Sequence, residues 1–470
     1  MSTAQDLCWL SAVELATAIK RKKVSPVEVV DAVLARIDET KVLNAYVTLD
    51  ADGARRAARA AERALTKRSA SLGPLHGVPF SVKDLIITKG LRTTFGTPLY
   101  RDNVPTEDAP SVARMKAAGG IMLGKTNTPT FGWVGITDNL VFGLTRNPWN
   151  LDRTPGGSSG GAGAAVAAGL GPLALGTDGG GSIRKPASFC GIVGHKPSFG
   201  RVPVYPASAA WSLSHTGPMT RTVKDAALMM NVCAGPDERD PYSLPAEKVD
   251  YVKAIAGGVK GLRVAYSETL GIAPAIDPEV RASVGQAARA FRELGCRVDT
   301  VEPAWPLVWD AWRAIFLGGI AARMAPYLDR KADIDPGLLP VIEETLTWGP
   351  TRYVQAWFDR LAWWQHPRLF FEKYDLLLTP TATTPAFEHG MLYPSVIDGV
   401  KVDRHASSAY TYPFNATGQP AVSVPCGFTR GGLPIGLQIV GRRHDDVTVL
   451  RAAAAFEAAR PWTARRPPID

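Results

Sequence analysis

The chain has 470 residues, with 53 Lys+Arg against 44 Asp+Glu (net charge +9), 46% hydrophobic and 21% charged residues. That balance excludes a disordered chain, and the glycines gather in a few loops without the G-X-Y period of a fibrous one. The basic excess raises nucleic acid or an acidic membrane as partners. Outside KRKK at Lys20–Lys23, however, the cations alternate with acids, as in DGARRAARAAERALTKR, the pattern of a solvated helix surface; neither partner is expected.

From the N-terminus, MSTAQDLCWLSAVELATAIKRKK reads as an amphipathic helix with no apolar h-region before a cleavage site. Ser25-Pro26-Val27-Glu28 is a capping box with Pro at the first helical position, opening a helix to about Thr40. A second helix is predicted from about Asp52 to Lys67. The turn Leu75-His76-Gly77-Val78-Pro79 then feeds an apolar strand, FSVKDLI. A helix over Ser111–Ala118 leads through Gly119-Gly120 into the strand IMLG. After the loop Arg153–Gly157, AGAAVAAGL is a tightly packed helix and PLALG a strand, and the Gly179-Gly180-Gly181 turn opens a further helix near Ser182.

Alternation continues with LRVAYS, a helix over Pro278–Leu294, and CRVDTVE. A helical, tryptophan-rich stretch follows from Pro306 to Phe371. The end holds DLLLTPT, a two-strand unit (AVSVPCG and PIGLQIVG) and a last helix over Val447–Ala459. Residues 234–261 turn polar and Pro/Gly-bearing, as an inserted connection would. Strands recur on both sides of it, so the expected fold is α/β: a single domain over 1–470, with a large mixed, mostly parallel central sheet covered by helices on both sides.

Five scattered cysteines (Cys8, Cys190, Cys233, Cys296, Cys426) without a C-x-x-C pair argue against disulfides and thiolate zinc sites. The longest uncharged apolar stretch, Gly160–Gly176, falls short of a membrane span. A cytoplasmic, reducing setting is expected.

Several motifs compete for the same residues. Gly119–Thr126 satisfies G-x-x-x-x-G-K-[ST], but a helix precedes it, its interior is the strand IML, and Asn127-Thr128-Pro129 launches no helix, the reverse of a phosphate loop. Gly157-Ser158-Ser159-Gly160-Gly161 matches the nucleophile elbow G-x-S-x-G, yet follows a loop rather than a strand. Ser182-Ile183-Arg184-Lys185 matches S-x-x-K, which sets a lysine one helical turn from a serine, without the accompanying S-D-N and K-T-G patterns.

A larger pattern contains these. LHGVPFSVKDLI around Lys83, PGGSSGGAGAAVAAG around Ser158 and GTDGGGSIRKPASFCGIVGHKPSFGRV around Ser182, in this order, resemble the amidase signature family. The likeness extends to SAVELATAIKRKKVSPVEVV, GKTNTPTFGW, FGLTRNPWN and QPAVSVPCG…GLPIGLQIVG, with a core over about 75–200. The resemblance implies Ser182 as nucleophile, Ser158 as a bridging serine held by a cis peptide bond, and Lys83 as base. A serine attacks only when a base takes its proton, and a lysine serves as base only when neutral, which burial favours and a carboxylate partner opposes. Lys83 lies in an apolar strand, and Asp84 falls on the opposite face if that strand is regular.

Gly179, Gly180 and Gly181 offer successive backbone N–H groups for an oxyanion hole. Relatives often carry a larger residue where Gly179 stands, so a roomier rim is expected here. Asp178 and Arg184 are expected to brace this loop and Ser159 to support it. The implied reaction is hydrolysis of a carboxylic amide through an acyl-serine, without cofactor or metal, with esters and carbamates in chemical reach.

The family includes the transamidating subunit that supplies ammonia for glutaminyl-tRNA formation. Ser stands at the expected position of its glutamine-gripping Asp within Ser407–Asn415, and VIEETLTWGP offers no aligned Arg. The alternative of a glutaminase or transamidase subunit is therefore disfavoured. Trp305, Trp309, Trp312 and Phe316 stand where relatives place pocket walls, and Gly132 and Trp133 match a segment lining the acyl side. Together they point to a small hydrophobic or aryl amide as substrate, with core packing as the alternative for each aromatic. A homodimer is left open.

Overall fold

The structure, a computed structural model, describes residues 4–66 and 72–469. Its strands in chain order are β1 (Tyr46–Leu49), β2 (Pro79–Lys83), β3 (Ile121–Thr126), β4 (Leu173–Asp178), β5 (Val193–Lys196), β6 (His215–Thr220) and β7 (Arg263–Tyr266). They continue with β8 (Arg297–Thr300), β9 (Leu376–Pro380), the two-residue β10 (Val396–Ile397) and β11 (Val400–Lys401), β12 (Ala421–Phe428) and β13 (Pro434–Gly441). Eleven of them form one sheet in the order β1-β3-β2-β4-β6-β5-β12-β13-β9-β7-β8, while β10 and β11 pair separately.

The mixed α/β sheet is as expected, and its parallel pairing is confined to two wings, β3-β2-β4 and β9-β7-β8. From β4 to β9 every neighbour is antiparallel, because β5 and β6 pair directly and β12 and β13 are consecutive strands paired as a hairpin. The antiparallel pairs of this mixed sheet thus lie at its centre, between the two parallel wings. Parallel strands need long crossovers, whereas the β12–β13 turn around Gly432 is short enough only for an antiparallel return.

Strand alternation divides the core between the two faces. Leu376 and Leu378 of β9 join Val264, Val422 and Ile439 on one side; Leu377 joins Ala265, Ala421 and Val440 on the other, against the aromatic helix Trp309–Met324. Strands β2, β9 and β13 are buried along their whole length, which is why they read as mainly apolar runs, broken only by residues such as Lys83 and Gln438.

The single helix expected at the N-terminus is split at Leu10–Ser11 into Ala4–Trp9 and Ala12–Lys20, because Ser11 caps a new helix with Glu14, whereas other predicted helices appear with small shifts in their ends. The capping box at Ser25 opens a helix over Pro26–Glu39, with the Ser25 amide donating to Glu28 Oε2 at 2.7 Å. The helix expected to reach Lys67 covers Ala51–Ala64, and Lys67 lies outside the described residues, as do the first three residues of the N-terminal segment. The last helix is Asp446–Ala459. The G-x-x-x-x-G-K-T match is β3 itself, and its Lys125 is buried, donating to Ile86 O and to the hydroxyls of Thr88 and Thr93. Residues 234–261, read as an inserted connection, carry the short helix Tyr251–Ala254 on the way to β7. Among the described residues, Cys190, Cys233, Cys296 and Cys426 form no disulfide. No helix among the described residues is long and apolar enough to cross a membrane.

Candidate active site

Strands β2 and β4 lie side by side and parallel, and their C-terminal ends deliver Lys83 on one and Thr177 with Asp178 on the other. Lys83 is fully buried. Its Nζ donates to Ser158 Oγ at 2.7 Å and to Thr177 Oγ1 at 2.9 Å. Burial drives its pKa well below 10.5, against a smaller opposing pull from Asp178. Asp84 turns away as strand alternation requires: its carboxylate accepts from the Thr94 amide and hydroxyl and lies 3.8 Å from Lys125 Nζ.

Ser158 follows a cis Gly157–Ser158 peptide and is itself buried. Gly132 packs against it so closely that a Cβ there would stand 2.9 Å from Ser158 Oγ. The Ser159 amide donates to the Ser182 carbonyl at 3.1 Å, tying the two serine loops together, although the Ser158 and Ser182 hydroxyls are not hydrogen-bonded to each other. Ser159 Oγ donates to Thr177 O and accepts from Thr177 N.

The glycine loop is fixed from below by a buried ion pair. Arg184 Nε and Nη2 meet Asp178 at 3.0 and 2.9 Å, while Gln438 and Asn415 accept the remaining guanidinium contacts at 2.7 Å each. Burial would raise the Asp178 pKa, but the Arg184 guanidinium overrides it and holds the carboxyl far below the usual range. That carboxylate also accepts the amides of Gly181 (2.7 Å), Ile183 (3.1 Å) and Arg184 (3.4 Å).

This changes the expected oxyanion donors. The Gly181 N–H, counted with those of Gly179 and Gly180, is spent on Asp178. The amides of Gly179, Gly180 and Ser182 have no acceptor among the described residues. Because a trans peptide sets C=O and N–H in opposite directions, each carbonyl contact orients the next amide. Trp312 Nε1 donates to Gly179 O at 2.9 Å, Thr411 Oγ1 to Gly180 O at 2.7 Å, and the Lys185 amide to Gly181 O at 2.7 Å. The amides of Gly180, Gly181 and Ser182 are set accordingly.

Ser182 opens on a cleft of about 460 Å³ whose walls include Gly132, Trp133, Gly180, Lys185, Trp309, Trp312, Phe316 and Arg404. Trp312 stacks on Trp309 (5.0 Å) and on Phe316 (4.7 Å), so the i, i+3, i+7 face of their helix presents one aromatic wall. Trp305 does not share it. It packs edge-on against Trp363 and Phe370 in the core, the alternative reading for that residue. The roomier rim expected at Gly179 is absent: Phe316 Cε2 would stand 3.1 Å from a Cβ there and fills the space. A second, more apolar cavity of about 640 Å³ lies against Thr177, lined by Leu85, Ile86, Phe131 and Thr216 among others.

Sequence reasoning missed Thr177, Asn415, Gln438 and Arg404. The first three are polar residues inside otherwise apolar strands or short helices, where a buried polar side chain must find a partner. Arg404 carried no such signal.

The family model for amidases matches residues 28–450. The chain is 42% identical to an acylamidase of Rhodococcus erythropolis over 99% of this chain and 98% of that one. It is 37% identical to a glutamyl-tRNA(Gln) amidotransferase subunit from a Geobacillus species over 97% and 98% of the respective chains. It is also similar to the crystal structure of a bacterial aryl acylamidase, with a TM-score of 0.91 and 37% identity over 97% of each chain. Fold and sequence agree: the chain belongs to the amidase signature family.

Proposed function

We propose that the protein hydrolyses carboxylic amides, with hydrophobic or aryl amides preferred, through an acyl-Ser182 intermediate. The observation that carries this reading is a fully buried lysine whose Nζ, among the described residues, bonds only to hydroxyls, those of Ser158 and Thr177. With the amine neutral, its lone pair takes the Ser158 proton while Ser158 Oγ takes the proton of Ser182. Ser182 Oγ then bonds to the amide carbon, and the carbonyl electrons move onto oxygen, facing the free amides of Gly179, Gly180 and Ser182. Each such donor contributes about 3–4 kcal/mol to the transition state. Collapse breaks the C–N bond as Ser158 returns a proton to the leaving nitrogen and recovers one from Lys83. Water then cleaves the acyl-serine by the same route in reverse.

The aromatic wall of Trp309, Trp312 and Phe316 supports a flat or hydrophobic substrate group, as does the apolar cavity beside Thr177. The relatives include amidotransferase subunits, which keeps a glutaminase reading in view. Against it, no Asp or Glu is among the described residues lining the cleft, so the α-ammonium of glutamine would meet no carboxylate there. The test is a panel of an anilide, an aliphatic amide, a carbamate, an ester and glutamine, with ammonia and amine both measured. Anilide hydrolysis by the purified chain, abolished by Ser182→Ala, is the expected result. Glutamine turnover without anilide turnover would overturn it.

A further inference from the structure

Two cations stand in the wall of the Ser182 cleft, and the amide chemistry proposed above uses neither. Lys185, 3% exposed, sits one helical turn from Ser182, and its Nζ has a single acceptor among the described residues, Ser408 Oγ at 3.3 Å. Gly135 leaves the space it occupies, since a Cβ there would stand 2.5 Å from Lys185 Nζ. Arg404 lies over the Trp133 ring, 5.0 Å from its centroid, and donates to Trp133 O at 3.0 Å. Neither cation forms an ion pair with any described residue. Arg184 and Lys125, by contrast, have carboxylate partners in Asp178 and Asp84.

Among the described residues, the remaining polar groups of this wall add donors and hydroxyls but no carboxylate: Ser407, Ser408, and Trp133, whose buried indole N–H has no acceptor there. Buried cations are ordinarily matched by an anion, so an uncompensated pair in an open cleft is a place for one to come from outside. Burial, with Arg404 second, lowers Lys185 only to about 8, which leaves it mainly protonated at neutral pH.

We propose that Lys185 and Arg404 form an anion-accepting subsite beside Ser182, so that the preferred substrates are amides carrying a carboxylate on the part seated in this cleft. This rests on the amidase reading and narrows it. The aromatic wall receives the flat or apolar portion, and the cation pair receives the negative group at its end. Lys185 is then a specificity residue, and the S-x-x-K spacing reflects its place in the cleft wall rather than a role as base.

Paired substrates provide the test: acetanilide against N-acetyl-4-aminobenzoate for a leaving-group carboxylate, and butyranilide against succinanilate for an acyl-side carboxylate. The expected result is a kcat/KM at least tenfold higher for the anionic member of one pair. That ratio should fall at least tenfold in Lys185→Met and in Arg404→Gln, and Arg404→Lys should restore part of it. Equal kcat/KM within both pairs in the wild-type protein would overturn the subsite while leaving the amidase reading intact. Absence of hydrolysis of all four would instead overturn the amidase reading. As a readout independent of turnover, Ser182→Ala protein should bind benzoate at least tenfold more tightly than benzamide. The added change Lys185→Met should erase that difference, and no difference to begin with would count against the proposal.

Discussion

Trp312 Nε1 donates to the carbonyl of Gly179 at 2.9 Å, so the residue that forms the centre of the aromatic wall also holds the glycine loop. The contact fixes the Gly179–Gly180 peptide with its carbonyl toward the indole and its N–H on the other side. The ring presses against Gly180 as well, where a Cβ would lie 2.5 Å from Trp312 Cζ2. Packing and electrostatics of the site therefore meet in one side chain.

Trp312→Phe separates the two contributions, because it keeps an aromatic ring in the wall and removes only the N–H. A single hydrogen bond of this kind contributes about 1 kcal/mol, and a Gly180 amide free to turn loses part of its transition-state contact. The expected outcome is a fall in kcat of about tenfold, with KM for an anilide changed less. Steady-state kinetics decide it. A rise in KM at constant kcat would mean that Trp312 serves only as a wall.

Asp178 and Arg184 hold the same loop from beneath, both fully buried and bonded to each other at 2.9 Å. Asp178→Asn keeps the shape but leaves the guanidinium without its counter-charge and weakens the acceptor of the Gly181 amide. Removing one partner of a buried pair costs about 3–5 kcal/mol. The expected result is a large drop in the urea midpoint together with lost activity. A variant of wild-type stability would show that Asn415 and Gln438 suffice to hold Arg184.

These contacts show what the chain reveals by itself and what it does not. Lys83, Ser158 and the glycine loop stand in contiguous motifs, so their types and order point to the proposed chemistry before any fold is known. Strands β9, β12 and β13 are equally visible as mainly apolar runs closed by turn residues. Strands β5 and β6 are not: VGHK and HTGPMT carry Gly or Pro among polar residues, and only pairing across the sheet makes them strands. The fate of the Gly181 amide depends on where the Asp178 carboxylate points, which glycine spacing cannot tell. Arg404 reaches the cleft from 219 residues beyond Lys185 (404 − 185) and stands in no motif, so only the folded chain brings the two cations into one wall.

The protonation state of Lys83 gives the most discriminating measurement. Burial lowers its pKa well below 10.5, with Asp178 opposing, so the folded protein holds a proton there less tightly than the unfolded chain does. As base it must be neutral, so kcat/KM should fall on the acid side with a slope of one as pH drops through its folded pKa. Were Lys185 the base, that limb would instead lie near its own value of about 8. Lys83→Met should lower kcat by about 10²–10⁴-fold, the range of a lost general base. Stability supplies a second reading. Between the folded pKa and 10.5 the unfolded state binds the extra proton, so wild-type stability rises with pH across this window. Lys83→Met lacks that titration. Its stability relative to the wild type should therefore be greatest near the lower end of the window and shrink steadily as pH approaches 10.5, followed by urea midpoints of both proteins. A difference that stays constant with pH would mean that Lys83 folds protonated, and the proton relay through Ser158 would then have no base at its end.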